Sequence, residues 1–198
     1  MIPKVDQTVA LVVPLIAERM GQFSLLENSE DVRLQMINFL GSGCMIRCSG
    51  DTLKLVVGHL IQVLCISIGD QFHEIKKGAS RVIVMLTALA SKEFSETSEK
   101  LLRALLPNIG HIHSKVRIAT LEAINSVVLC GLAAGLVGDV MVPVVRVLGL
   151  DRTMAVRERF FVYIAGWLGY EIDRKGTENH SCYTCFGLQC FIIGCPWC

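Results

Sequence analysis

The sequence predicts an all-α fold, an α-solenoid (α-α superhelix) of about four helix pairs, on three observations. First, four β-branched anchors, Val32, Ile75, Val116 and Val156, recur at intervals of 43, 41 and 40 residues. Each is followed by a cation: Arg33, Lys76, Arg117 and Arg157. Second, the residues 4, 7, 8 and 11 positions after an anchor are mostly apolar, as in Ala79, Val82, Ile83 and Leu86, or Phe160, Tyr163, Ile164 and Trp167. Those offsets trace one face of a helix with 3.6 residues per turn. Third, hydrophobic residues make up 52% of the 198 and charged residues 19%, so enough apolar surface is available to offset the entropy of ordering the chain.

Each anchor helix, here a B helix, follows an apolar A segment and a turn. In the first unit the A segment is 9–20, the turn is Glu27-Asn28-Ser29, and Gly41-Ser42-Gly43 ends the B helix early. In the second unit, 53–68 leads through Gly69-Asp70 to the helix of Ile75. The third runs from 98–106 through Asn108-Ile109-Gly110 to the helix of Val116. The fourth runs from 137–148 through Gly149-Leu150-Asp151 to the helix of Val156. Glycine, asparagine and aspartate mark these turns because they tolerate the backbone angles a reversal needs. Pro14 and Pro143 fall inside A segments, where each removes a backbone donor and favours a kink. One such hairpin cannot bury its apolar face alone. Three or more stacked hairpins share a continuous core.

The period near 41, the kinked A helices and the repeated anchor-plus-cation pattern resemble the HEAT repeat over roughly residues 1–175. An acid five residues before the anchor strengthens the resemblance: Glu27 with Arg33, Asp70 with Lys76, and Asp151 with Arg157. In the third unit His111 replaces the acid beside Arg117. The resemblance implies that these charges form a structural ladder between stacked neighbours, with B helices lining a concave surface.

Longer strings narrow the resemblance. Leu25-Leu26-Glu27-Asn28-Ser29-Glu30-Asp31-Val32-Arg33-Leu34-Gln35-Met36, His113-Ser114-Lys115-Val116-Arg117-Ile118-Ala119 and Gly166-Trp167-Leu168 with Asp173-Arg174 are similar to the HEAT-repeat factors that assemble axonemal dynein arms. The resemblance implies a non-enzymatic, cytoplasmic scaffold for preassembly of outer and inner arms. The implied partners are the dynein intermediate chain and chaperone machinery. Those factors have more repeats than four, so this chain is expected to be a fragment or short form. Two alternatives stay open. One is a generic HEAT interaction scaffold. The other is a tubulin-binding array, whose turns usually carry an aromatic and several cations; here the turns offer His111, His113, Lys115 and Arg152, and Trp167 lies within a helix.

Other classes are read as absent. Nineteen basic against eighteen acidic residues leave +1, so no broad basic field points to nucleic acid. The apolar run 9–17 follows Asp6, contains Pro14 and lacks a small-x-small cleavage site, which reads against a secretory signal. The uncharged stretch 123–138 is shorter than the ~20 apolar residues of a spanning helix, so no membrane partner is expected. Cys44, Cys48, Cys65 and Cys130 show no disulfide spacing and read as buried thiols of a reducing compartment.

The tail 176–198 departs from the repeat. Cys182, Cys185, Cys195 and Cys198 form two C-x2-C pairs nine residues apart, a set of thiolates that could hold tetrahedral zinc. The second pair ends the chain, Cys190 intervenes and the spacer is mostly apolar, so a divergent, poorly ordered ending without metal is the competing reading. No cofactor is assigned. His111 and His113 lack a third ligand in sequence. Glu93, Glu96 and Glu99 read as an inter-repeat loop and the acidic start of a helix, where carboxylates meet the positive end of the dipole. No nucleotide-binding or nucleophile-elbow motif is present, and no catalytic residue is proposed.

Overall fold

The computed structural model describes residues 4–21, 27–131 and 136–175. Its compact units are Met1–Arg159 and Phe160–Cys198, with the boundary inside the last helix. The described residues contain helices and turns, and no strand lies among them. This is the all-α repeat architecture that the 41-residue period predicts.

In the first unit, A helices α1 (Lys4–Met20), α4 (Gly50–Ile68), α7 (Ser98–Leu105) and α9 (Leu136–Leu148) alternate with B helices α2 (Glu30–Leu40), α5 (His73–Leu89) and α8 (Ser114–Cys130). Helix α10 (Met154–Lys175) begins as the fourth B helix. Like packs on like: α1 on α4, α4 on α7 and α7 on α9 in one layer, and α2 on α5 and α5 on α8 in the other. The α4–α5 and α7–α8 contacts close the second and third hairpins.

The apolar stripes form the seam. In α5, Ile75, Ala79, Val82, Ile83 and Leu86 are buried; in α8, Val116, Thr120, Ala123, Ile124 and Val127 are buried. In the first repeat the buried face is shifted by one residue, to Arg33, Ile37 and Leu40, and Val32 is 41% exposed. Its helix meets one described B neighbour, α5, whereas α5 is sandwiched between α2 and α8. In the second unit, Phe160, Ile164 and Trp167 are buried, and Phe160 meets Phe161 edge to face at 5.2 Å.

Local chemistry sets the helix ends. Ser29 and Ser49 cap α2 and α4, their hydroxyls accepting the amides of Val32 and Thr52. Helix α2 stops at Gly41, as the glycine-rich string predicts. Gly21 ends α1 with φ 89°, the left-handed region where a Cβ would clash, and its amide bonds back to Ala17 and Glu18. Across the A layer, the Asp6 carboxylate accepts the Ser49 amide at 2.7 Å, and the Gln62 side chain donates to the Gly21 carbonyl at 3.0 Å.

Three features differ from the sequence expectation. The helix start expected in 91–99 is that of α7 at Ser98, but the expected loop before it forms a short helix, α6 (Ser91–Ser95), in which Phe94 is fully buried. A second short helix, α3 (Gly43–Arg47), follows α2. Helix α4 is, by length and composition, long and apolar enough to cross a membrane, where the sequence predicts no such segment. Its apolar character has a packing cause: it is the central A helix, contacted by α1, α5 and α7, and Leu53, Val56, Leu60, Val63, Leu64 and Ile68 are buried. Pro14 and Pro143 lie inside α1 and α9. The expected Cys-rich tail, with Cys182, Cys185, Cys190, Cys195 and Cys198, lies outside the described residues.

Candidate functional site

The four A–B turns lie at the starts of the B helices and are joined by buried polar rungs. Each cation follows its anchor in the first turn of a B helix. Side chains there lean toward the helix N-terminus, which carries the cation back into its own turn and across to the next. Arg33 donates two parallel bonds to Asp70, Nε to Oδ2 at 2.7 Å and Nη2 to Oδ1 at 3.1 Å. Its remaining Nη1 donates to the Glu27 and Asn28 carbonyls of its own turn. Arg117 repeats the arrangement with Asp151 at 2.6 and 2.8 Å, the His111 and Ile112 carbonyls, and the Thr153 hydroxyl. Both ion pairs are buried, with side-chain exposures of 7% and below.

The cation of one repeat therefore pairs with the acid of the next. Glu27, expected beside Arg33, gives its carboxylate to Arg19 at 2.7 Å and to the Ser29 amide. Asp151 offers only its carbonyl to Arg157. The middle rung is different. Lys76 donates to Asn108 Oδ1 at 3.0 Å and to the Ile68 carbonyl, while Asn108 Nδ2 donates to that same carbonyl at 2.9 Å. Asn108 is thus a ladder member that reading five residues back from the anchor misses. The turn marker Asn108-Ile109-Gly110 was the available signal.

His111 does replace an acid, in one respect. The Asp70 and Asp151 carboxylates each accept the amide two residues on, from Phe72 and Thr153 at 2.8 Å. His111 Nδ1 accepts the His113 amide in the same way at 3.1 Å. This needs an unprotonated Nδ1. Burial lowers the His111 pKa, and the Lys76 charge and neighbouring histidines lower it further. At Asp151, burial pushes the carboxyl up, but the Arg117 and Thr153 hydrogen bonds outweigh it and the pKa ends below its ordinary value. Burial likewise holds the Lys76 ammonium below its usual range.

The histidine rings of the second and third turns lie against one another at a tilt. The His73 and His113 ring centroids are 4.5 Å apart, and His111 lies 5.4 Å from His113. Among the described residues, no group of three or more His, Cys, Asp or Glu side chains is arranged to hold a metal ion. The four candidate zinc ligands, Cys182, Cys185, Cys195 and Cys198, lie outside the described residues. Glu99 is engaged by Arg103 at 2.9 Å, and Glu96 is exposed. Cys48, Cys65 and Cys130 are free and half-buried rather than fully buried, and burial pushes each thiol pKa up. A raised pKa disfavours the nucleophilic thiolate.

The outer side of the turns is apolar and cationic in its second half. Ile112, Leu150 and Met154 are 72%, 86% and 65% exposed. Lys115 and Arg152 are exposed beside them, and Arg152 Nη2 reaches the Ile112 carbonyl at 3.4 Å. The first turn instead exposes Glu30 and Asp31.

Comparison with known proteins adds a family. Residues 1–176 match the family described as dynein axonemal assembly factor 5-like, TPR repeats. The repeat interval here, near 41 residues, is longer than the ~34 of a tetratricopeptide unit and within the HEAT range. Dynein axonemal assembly factor 5 of Xenopus laevis is 26% identical over 167 residues, covering 84% of this chain and 19% of that protein. The Drosophila melanogaster protein of the same name is 28% identical over 130 residues, 62% of this chain and 15% of the relative. The Homo sapiens protein is 28% identical over 142 residues, 72% and 16% respectively. The chain therefore spans less than a fifth of the length of these curated relatives. No solved structure matches.

Proposed function

The chain belongs to the dynein axonemal assembly factor 5-like family, and from that premise we propose that it is a non-enzymatic scaffold in the cytoplasmic preassembly of axonemal outer and inner dynein arms. Its role is to hold the dynein intermediate chain while chaperones act on the growing complex. One observation carries the reading: the family match runs the length of the repeat array, so the matched part is the stacked set of hairpins itself. Rigid stacking suits a holder. Buried rungs fix neighbouring turns relative to one another, so a partner meets a preformed surface and less free energy is lost in ordering it.

The tubulin-binding alternative gains no support from Trp167, which is buried within α10. The test is affinity capture from ciliated-cell cytosol with the tagged 198-residue chain. Specific recovery of dynein intermediate chain is expected. Recovery of tubulin in its place, or of neither protein, overturns the proposal.

A further inference from the structure

We propose that the edge formed by the third and fourth A–B turns docks an extended, acidic polypeptide segment bearing apolar side chains. The inference deepens the scaffold reading and rests on it. Two observations define the site. The first is exposure: Ile112, Leu150 and Met154 project from adjacent turns with most of their surface in water, although the neighbouring anchors Val116 and Val156 are fully buried. The turns are held side by side by Arg117, which bonds to carbonyls of the third and side chains of the fourth, and by Arg152, which reaches back to Ile112. The three apolar side chains therefore belong to one fixed edge.

The second is charge. Across residues 110–117 and 149–157 there are four cations, Lys115, Arg117, Arg152 and Arg157, and one acid, Asp151. That acid is buried and consumed by Arg117. The exposed cations Lys115 and Arg152 thus meet solvent with no carboxylate of their own turns at the surface. The nearest exposed acid on α10, Glu158, comes a full turn after Met154. A chain with a net charge of only +1 has concentrated positive charge at this edge, while its first turn exposes Glu30 and Asp31. A complementary partner carries acidic groups along its length, and its apolar side chains cover Ile112, Leu150 and Met154.

Spacing gives the register. Packed helices lie about 8–10 Å apart. A chain extended in the polyproline II conformation advances about 3.1 Å per residue with three residues per turn, so every third side chain returns to one face. One apolar side chain about every third residue therefore follows the turns from repeat to repeat.

The probe is a fluorescein-labelled twelve-residue peptide, Ile-Glu-Asp repeated four times, titrated against the whole 198-residue chain by fluorescence anisotropy. Saturable binding is expected, weakening about tenfold when both exposed cations are reversed (Lys115→Glu with Arg152→Glu) or when the apolar pair is removed (Ile112→Ser with Leu150→Ser). These side chains are exposed, so unchanged circular dichroism and melting confirm that each variant is folded. Absence of binding by the folded wild type overturns the inference. So does equal binding of a Ser-Glu-Asp peptide, or tighter binding of single-stranded RNA, because each removes the apolar contribution. If intermediate chain is captured equally by wild type and edge variants, this edge is wrong while the scaffold reading stands. If wild type binds the peptide but captures no intermediate chain, the edge stands and the dynein reading fails.

Discussion

Replacing Asp151 by alanine removes one rung together with the acceptor of the Thr153 amide in its own turn. Arg117 would lose two charge-assisted bonds, at 2.6 and 2.8 Å, and keep bonds to the His111 and Ile112 carbonyls and the Thr153 hydroxyl. Its side chain is 5% exposed, so water does not readily replace the lost carboxylate. Leaving a buried charge without its partner costs about 3–5 kcal/mol. Total stability of a domain is only about 5–15 kcal/mol, so this is a large share of it. With a urea slope of about 2–3 kcal/mol/M for a chain of this size, the midpoint falls by about 1–2.5 M. Arg117→Lys keeps the charge but loses the fork, and should fall in between. The double replacement Arg117→Leu with Asp151→Leu removes both charges and should recover part of the loss; with the singles Arg117→Leu and Asp151→Leu it closes a cycle with a coupling of about 2 kcal/mol. Urea titrations followed by circular dichroism read all six proteins. A loss below about 0.5 kcal/mol for Asp151→Ala, with additive singles, would refute the claim that the rungs join the repeats.

Other outcomes follow from single sites. His111 has a folded-state pKa below its ordinary value of 6.5, so its contribution is fully present above about pH 6.5 and is lost as pH falls toward the depressed folded value. His111→Asp should keep the acceptor for the His113 amide, place a carboxylate near Lys76, stabilise by about 0.5–1 kcal/mol and flatten that loss between pH 7 and 5 in thermal melts. An unchanged pH profile would reject the assignment. A Cβ on Gly78 would stand 2.8 Å from the Ile37 Cγ2 methyl, and Ile37 is fully buried. Gly78→Ala should therefore cost about 1 kcal/mol despite better helix propensity, and Ile37→Leu, which lacks that methyl, should relieve it in the double variant. Ser67 Oγ and Thr120 Oγ1 are buried without a hydrogen-bond partner. Ser67→Ala and Thr120→Val should each stabilise by about 1 kcal/mol, raising the melting temperature by about 2–4 °C.

Much of the fold was legible because helical periodicity and turn residues act locally. The spacing of Ile75, Ala79, Val82, Ile83 and Leu86 states which face of α5 is buried, and the structure buries that face. The exceptions arise from neighbours. Val32 matches the pattern, yet it is exposed because α2 meets one described B helix. Phe94 turns a loop-like string into a helix because its ring finds the core. The ladder residues were legible as a charge pattern, but their pairing was not. Glu27 and Arg33 are close in sequence, whereas Arg33 and Asp70 are brought together only by stacking. The exposed trio Ile112, Leu150 and Met154 carried no periodic signal, since apolar residues in turns are indistinguishable in sequence from buried ones.

The central claim is that the stacked hairpins of residues 4–159 share one continuous seam. Native-state hydrogen exchange tests it most directly. The account predicts that amides of α5 and α8, the most closely packed helix pair, exchange slowest and with a common opening free energy, and that Asp151→Ala lowers protection in α8. Fast exchange in α5 or α8, or opening of each helix independently of the other, would contradict it.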